Sequence, residues 1–247
     1  MIEVIPIRLA ARIRPGDDLA GLLLGAVADA GEALVDGDVL VVAQKPVSKA
    51  EGRIVDLAGV EPSPEALERA ADGGDPRVVE VILSESAEVV RSRGSFIIGR
   101  TRQGHVLGSA GVDRSNQDAV DHVTLLPVDP DASARGLRDA LVAATGADIA
   151  VVISDSIGRP FRRGTVGVAL GAAGFATVVE HAGRPDDVGR EFHSTQVHMG
   201  DQLASAAELA LGPSGGVPAA IIRGVVLEPG AEGATGGIID REKDLFA

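Results

Sequence analysis

Two aspartates stand where separate apolar runs give out. Asp113 follows "HVLGSAGV", and Asp155 closes "DIAVVISD" with Ser156 beside it. A single loop aspartate is ordinarily a turn residue or a helix cap. Two arriving from different strand ends have the hard oxygen donors that hold Mg²⁺ or Mn²⁺, ions that bring water and phosphate with them. Cations gather nearby. Lys45 and Lys49 lie four residues apart in "AQKPVSKAEG", and Arg159, Arg162 and Arg163 follow Asp155 in "SDSIGRPFRRG". Guanidinium and ammonium groups at such density clamp phosphate or carboxylate. The chemistry suggested is that of anionic substrates met by a metal and local cations.

Composition sharpens the choice of residues. The chain has 20 arginines but three lysines, one asparagine, and no tyrosine, tryptophan or cysteine. Such a bias replaces lysine and asparagine wherever a substitute serves. The survivors are therefore candidates for positions where the substitute fails, against chance survival. Lysine is a compact charge that reaches one oxygen where arginine presents a planar fork. The only asparagine, Asn116, lies three residues past Asp113, and its amide both donates and accepts where aspartate only accepts.

These residues need elements to carry them. "DVLVVAQ" and "PAAIIRGVV" read as buried strands, and "DIAVVISD" as a strand ending at Ser154 and Asp155. "FIIGRT" and "HVLGSAG" read as a strand pair turning at Gln103 and Gly104. In "DPRVVEVILSESAEVVRS", Asp75 as cap and Pro76 at the first position start a helix. Val78, Ile82, Val89 and Val90 would form its buried face. "DPDASARGLRDALVAATG" repeats the device, with Asp131 as cap and Gly146 as stop, and "MGDQLASAAELALG" is a helix ending at Gly212. The reading is an α+β fold, with residues 1–247 forming one catalytic unit of two lobes. The polar stretch 183–189 is the expected linker.

Other chemistry is excluded by what the sequence lacks. There is no Walker lysine loop, no H-E-x-x-H and no G-x-S-x-G elbow. In "GVALGAAG" the glycines at 167, 171 and 174 are misplaced for a dinucleotide and suit a close approach of backbones. His193 and His198 read as surface or hydrogen-bonded structural residues. A net charge of −13 leaves no basic footprint for nucleic acid or an anionic membrane. With no signal peptide and no apolar run of transmembrane length, the expectation is a soluble cytoplasmic protein.

Several long segments carry a resemblance. "VVAQKPVSKAEGRIVDL", "GSAGVDRSNQD", "LLPVDPDASARGLR", "IAVVISDSIGRPFRRGTVGVALGAAG" and "DDVGREFHSTQVHMGDQLASAAELALG" are similar to the motif set of the coenzyme F420-0:L-glutamate ligases, the gamma-glutamyl ligases of deazaflavin cofactor biosynthesis. The ending "REKDLF" resembles their stand-alone form. The resemblance implies an intertwined homodimer of the two-lobed gamma-glutamyl ligase fold. It implies a ligase that uses GTP and Mg²⁺ or Mn²⁺, two per site, with K⁺ as a further cation. L-glutamate would be joined to the phospholactyl-deazaflavin acceptor, with release of GDP and phosphate.

Carried over by residue, Asp113, Asp155 and Ser156 match metal ligands. Lys49, with Asp113 and Asp155, would carry the chemistry. Ala10, Ala11, Arg12, Ile13, Gln44, Lys45, Lys49, Asn116, Gly212, Ser214, Gly215 and Gly216 match nucleotide contacts. Pro213 departs from the polar residue expected there, and Phe161 stands where tryptophan is usual. Arg159, Arg162 and Arg163 are the expected holders of the anionic acceptor or of glutamate. The alternatives are a non-catalytic nucleotide- or metal-binding protein on the same scaffold, or a ligase for another carboxylate.

Overall fold

The computed structural model describes residues 1–115, 119–212 and 216–245. In chain order the elements are β1 (Glu3–Ile7), α1 (Leu19–Asp29), β2 (Val39–Ala43), α2 (Gln44–Ala50), β3 (Ile54–Asp56), α3 (Pro64–Arg69), α4 (Pro76–Glu85), β4 (Ser86–Arg93) and β5 (Phe96–Thr101). They continue with β6 (Val106–Gly108), β7 (His122–Thr124), α5 (Pro130–Thr145), β8 (Ala150–Gly158), β9 (Thr165–Ala173), β10 (Val178–Glu180), β11 (Gln196–His198), α6 (Met199–Leu211) and β12 (Ala219–Arg223).

The central sheet has the order β1-β12-β2-β8-β9. Its β2–β8 pair is parallel, and the other pairings are antiparallel. β2 and residues 150–153 of β8 are unbroken apolar runs because both of their faces are covered, as parallel central strands require. Leu40, Val42, Val151, Ile153 and Ile221 face one core with Leu23, Val27, Leu137 and Leu141 of α1 and α5. Val39, Val41, Val152, Ala220 and Ile222 face the other with Leu203, Ala204, Ala207 and Leu211 of α6. The alternation is the two-residue period of a strand.

The glycines of "GVALGAAG" serve this packing. A Cβ on Gly171 would lie 2.1 Å from the Pro130 carbonyl oxygen, and one on Gly167 would lie 2.4 Å from that of Ala204. α5 and α6 therefore sit directly on β9, which is the close approach expected from the sequence.

Residues 54–125 build a second body of structure. β3 pairs β7, and β4, β5 and β6 form a three-stranded antiparallel sheet. α3 and α4 pack there around Leu57, Ile82, Ile97, Val123 and Leu125. The expected long helix from Asp75 is corrected here. Asp75 caps it and Pro76 opens it, but it ends at Glu85, and Val89 and Val90 belong to β4. Serine hydroxyls take up carbonyls of its last turn, Ser84 to Val81 and Ser86 to Ile82. The valines that follow then pair with β5 across a turn at Gly94, whose φ is 59°. β-branched residues with an adjacent partner strand override a helical spacing.

A second correction concerns α5. Its cap is Asp129, which accepts from Ala132 N at 2.8 Å. Asp131 is turned inward and buried. Its carboxylate accepts from Ala172 N, Ala234 N, Thr235 N and Thr235 Oγ1, fastening the C-terminal segment to β9 and α5. The stretch 183–189, expected as a linker, is the tip of the β10–β11 excursion, closed by Gly183 N to Phe192 O and Phe192 N to Arg184 O. Among the described residues no helix is long and apolar enough to cross a membrane.

Candidate active site

β2 runs into α2 with no intervening loop, so Gln44 is both the end of the strand and the first residue of the helix. Lys45 and Lys49 are one helical turn apart and share a face. Pro46 is tolerated because it stands in the first turn, where no intrahelical N–H bond is lost. Alongside, β8 outruns its parallel partner, since Ala43 pairs with Ser154 and β2 stops there. The strand expected to end at Asp155 instead continues to Gly158, because β9 keeps pairing with it as an antiparallel hairpin. Asp155 and Ser156 thus project at the mouth of a crevice, beyond the C-terminal end of a parallel strand, where α/β sheets commonly bind ligands.

Asp113 reaches the same crevice from the other body of structure. A two-way backbone bridge to Thr124 pins it, with both N···O distances at 2.9 Å. Ser109, Ala110 and Gly111, immediately before, all have positive φ, at 53°, 48° and 75°. Two non-glycine residues in that region store strain of a kind concentrated at functional sites. Lys45 Nζ lies 2.8 Å from Asp113 Oδ2, and Ser115 N donates to Asp113 Oδ1 at 2.6 Å.

The two carboxylates differ in electrostatics. Burial pushes Asp113 up, but hydrogen bonds from Lys45 and Ser115 outweigh it and hold the group below the usual carboxylate value. Asp155 is pushed up to about 6, first by burial, then by the charges of Asp113 and Glu208. The Ser156 N–H and Lys45 only partly offset that rise. An under-neutralised carboxylate beside others is one that a bound cation would relieve.

These groups line a single cavity of about 840 Å³. Ala11, Arg12, Ile13, Gln44, Lys45, Lys49, Asp113, Asp155, Ser156, Gly212 and Gly216, all singled out from the sequence, border it. Ala10 does not. Asn116, Ser214 and Gly215 lie outside the described residues. Arg159, Arg162 and Arg163 are exposed on the loop between β8 and β9 and do not line the cavity. The sequence reading missed Ser115, Ser154, Thr165 and Glu208, which do. Ser154 had a signal, its place beside Asp155; Glu208, within a long helix, had none.

Two atoms at the cavity are unusual. Gln44 Nε2 and Ser154 Oγ are buried and have no hydrogen-bond partner. Gln44 is oriented by Ser48, whose hydroxyl donates to Oε1 at 2.8 Å, so its amide N–H₂ is left to meet something else. Buried polar groups are nearly always paired, and such orphans at a cleft ask for a ligand.

The donor set fits a hard divalent ion held partly by substrate. Among the described residues no group of three or more His, Asp or Glu side chains forms a metal cage. Mg²⁺ characteristically takes one or two carboxylates and completes its shell with phosphate and water. Asp113, Asp155 and the Ser156 hydroxyl are the donors that would form such a partial shell, and Arg12, Lys45 and Lys49 bring positive charge to the same cavity.

Fold and cleft thus define an α+β protein in which one cavity gathers two aspartates, Glu208 and the cations Arg12, Lys45 and Lys49. The chain belongs to the F420-0:gamma-glutamyl ligase family, whose model matches residues 7–224. It is 47% identical over 225 residues to the coenzyme F420:L-glutamate ligase of Methanothermobacter thermautotrophicus, covering 90% of this chain and 89% of the relative. To the enzyme of that name from Methanopyrus kandleri it is 48% identical over 226 residues, covering 91% and 87%. To that of Haloarcula marismortui it is 42% identical, covering 90% and 87%.

Proposed function

We propose that this protein is a GTP-dependent amide ligase that adds L-glutamate to the phospholactyl-deazaflavin coenzyme F420-0. The observation that carries the reading is the convergence of Asp113 and Asp155 with Lys45, Lys49 and Arg12 on one cavity that also holds orphaned buried polar atoms. Family membership and the names of the relatives support the choice of substrates.

A carboxylate does not accept an amine until one of its oxygens becomes a leaving group. Transfer of the γ-phosphoryl group to the acceptor carboxylate breaks the bond to GDP and forms an acyl phosphate. The glutamate nitrogen then attacks the carbonyl carbon. A C–N bond forms, the C–O bond breaks, and phosphate departs with the electron pair. From the ammonium form the sum is amide, GDP, hydrogen phosphate and one proton.

Phosphoryl transfer needs charge neutralisation and alignment more than covalent help from the protein. Mg²⁺ or Mn²⁺, two per site in this reading, would be held by Asp113, Asp155 and Ser156 and would supply Lewis-acid charge, with K⁺ as an accessory cation. Lys49 and Lys45 hold phosphate oxygens, Arg12 and the backbone around Ala11, Ile13, Gly212 and Gly216 border the nucleotide, and Gln44 Nε2 donates to it. Arg159, Arg162 and Arg163 take an anionic substrate at the loop beyond the cleft. Phe161 and Val188 are exposed apolar side chains of the kind a dimer contact would cover.

The test is incubation of the purified protein with acceptor, L-glutamate, GTP and Mn²⁺. Mass spectrometry should find products heavier by whole glutamyl units, with equal phosphate release. GTP-dependent phosphate release without glutamylation would assign another acceptor, and neither product would overturn the ligase reading.

A further inference from the structure

Glu208 is the one carboxylate at the cavity for which the mechanism above gives no task. It lies on α6, one turn after Ala204, and lines the cavity with Leu211 and Gly212. Its stem is held where α6 meets β9, since a Cβ on Gly167 would come within 2.7 Å of Glu208 Cγ. Gly167 pairs with Ser156, so the side chain is anchored opposite the β8 segment that carries Asp155 and Ser156. Its charge is felt at Asp155. Among the described residues its carboxylate has neither a hydrogen bond nor an ion pair, unlike Asp113 with Lys45.

A carboxylate left without a cation at a site built for anions raises the local repulsion, which phosphates worsen. Some positive group has to answer it. A metal held jointly with Asp113 and Asp155 is disfavoured, because no three such groups converge among the described residues. The proposed reaction brings another cation, the α-ammonium of the incoming amino acid. A second observation points to a ligand on this wall: Ser154 Oγ, two residues before Ser156 on β8, is buried, unpartnered and lines the cavity. A hydroxyl oxygen accepts from an ammonium N–H, as a carboxylate does.

We infer that Glu208 and Ser154, which line the same cavity, bind the ammonium group of the amino-acid substrate and set its nitrogen toward the activated carbonyl. The inference rests on the ligase reading. It assigns the amine side of the substrate to Glu208 on α6 and Ser154 on β8, next to the oxygen donors Asp155 and Ser156 of the metal side. Holding an attacking atom in place is worth as much to such a reaction as activating it.

Glu208→Gln keeps the shape and removes the charge. Expected is a tenfold or greater rise in KM for L-glutamate. KM for GTP, and the Mn²⁺ dissociation constant measured by electron paramagnetic resonance without amino acid, should stay within twofold. Ser154→Ala should raise the same KM by a smaller factor. Equilibrium binding to protein loaded with Mn²⁺ and a non-hydrolysable GTP analogue gives a check free of turnover. Glu208→Gln should weaken L-glutamate but not glutarate, which lacks the amine. An unchanged KM for L-glutamate overturns the inference, as does equal weakening of glutarate. Loss of Mn²⁺ affinity also overturns it and makes Glu208 a metal ligand. If the unaltered protein forms amide and Glu208→Gln forms it equally well, only Glu208 is misassigned. If the unaltered protein forms none, the ligase reading falls and takes this inference with it.

Discussion

Asp131 and Asp155 are the same residue type near the same sheet, and their surroundings make them opposites. Asp131 is buried under the C-terminal segment, and four donors from three residues satisfy its carboxylate. Asp155 stands at the open end of β8 with one backbone N–H from Ser156 and two further carboxylates within electrostatic reach. A fully paired charge is a fastening, because its desolvation is offset where it sits. A charge pushed up by burial and left short of donors is held at a cost to the fold, and that is the pattern of a functional site. Hydrogen-bond inventory, not residue type, separates the two.

The comparison breaks if the substitutions exchange their effects. Asp155→Asn should lower kcat by about 10³-fold, the scale of losing a principal electrostatic stabiliser. Its Tm should be unchanged or slightly higher, since an under-satisfied charge is removed. Asp131→Ala should do the reverse. It leaves four donors, two of them buried, facing a void and should cost about 3 kcal/mol, which lowers Tm by roughly 6–12 °C for a chain of this size. Its kcat at low temperature should stay within a few-fold of the unaltered value. Thermal unfolding and steady-state kinetics on the two variants decide the matter. A large loss of stability in Asp155→Asn would make that residue a fastening too.

A smaller effect tests the same boundary through pH. His105 is held below the usual histidine value, chiefly by burial, although Leu170 O at 3.1 Å and the charges of Asp131 and Asp201 pull the other way. Below about pH 6.5, the ordinary histidine value, the unfolded chain binds a proton that the folded one resists. Stability therefore falls as pH drops through that window, by at most about 1.4 kcal/mol per pH unit for one group. His105→Gln should flatten the slope of unfolding free energy between pH 7 and 5. A slope identical to the parent's would show that the ring is not excluded from protonation.

How far the sequence reveals this division depends on range. The runs of β2, β8 and β12 and the spacing of α6 are local patterns, and they identify the central sheet and its crevice directly. Asp113, Asp155, Lys45 and Lys49 are likewise visible because their types are scarce or stand at strand ends. Asp131 is misread as a cap because its partners at 172, 234 and 235 are distant in sequence. Val89 and Val90 fit a helical stripe until β5 offers a partner. Glu208 looks like one more charge on a solvated helix face, and only the packing of α6 on Gly167 turns it into the cavity. The three arginines suggest an anion site by density, yet the β8–β9 hairpin carries them past the cleft. What stays hidden is the part decided by which distant segments meet.

The finest test concerns the turn that delivers Asp113. Ser109 and Ala110 occupy a left-handed conformation that costs side-chain-bearing residues about 1–2 kcal/mol each. Gly111 cannot be exchanged for them, because a Cβ there would strike Leu126 at 2.6 Å. Ala110 is packed in the core, so Ser109 is the position where strain can be released alone. Ser109→Gly relieves the φ of 53° but gives the unfolded chain more freedom, and the two terms nearly offset. The net expectation is a gain of about 0.5 kcal/mol, one or two degrees in Tm. If the strain serves to present Asp113, the same variant should gain less thermal stabilisation from added Mn²⁺ than the parent, since a looser turn binds the ion less well. Greater intrinsic stability with weaker metal stabilisation would place the turn with Asp155 on the functional side of the comparison. A loss of intrinsic stability would place it with Asp131, as structure that the fold needs for itself.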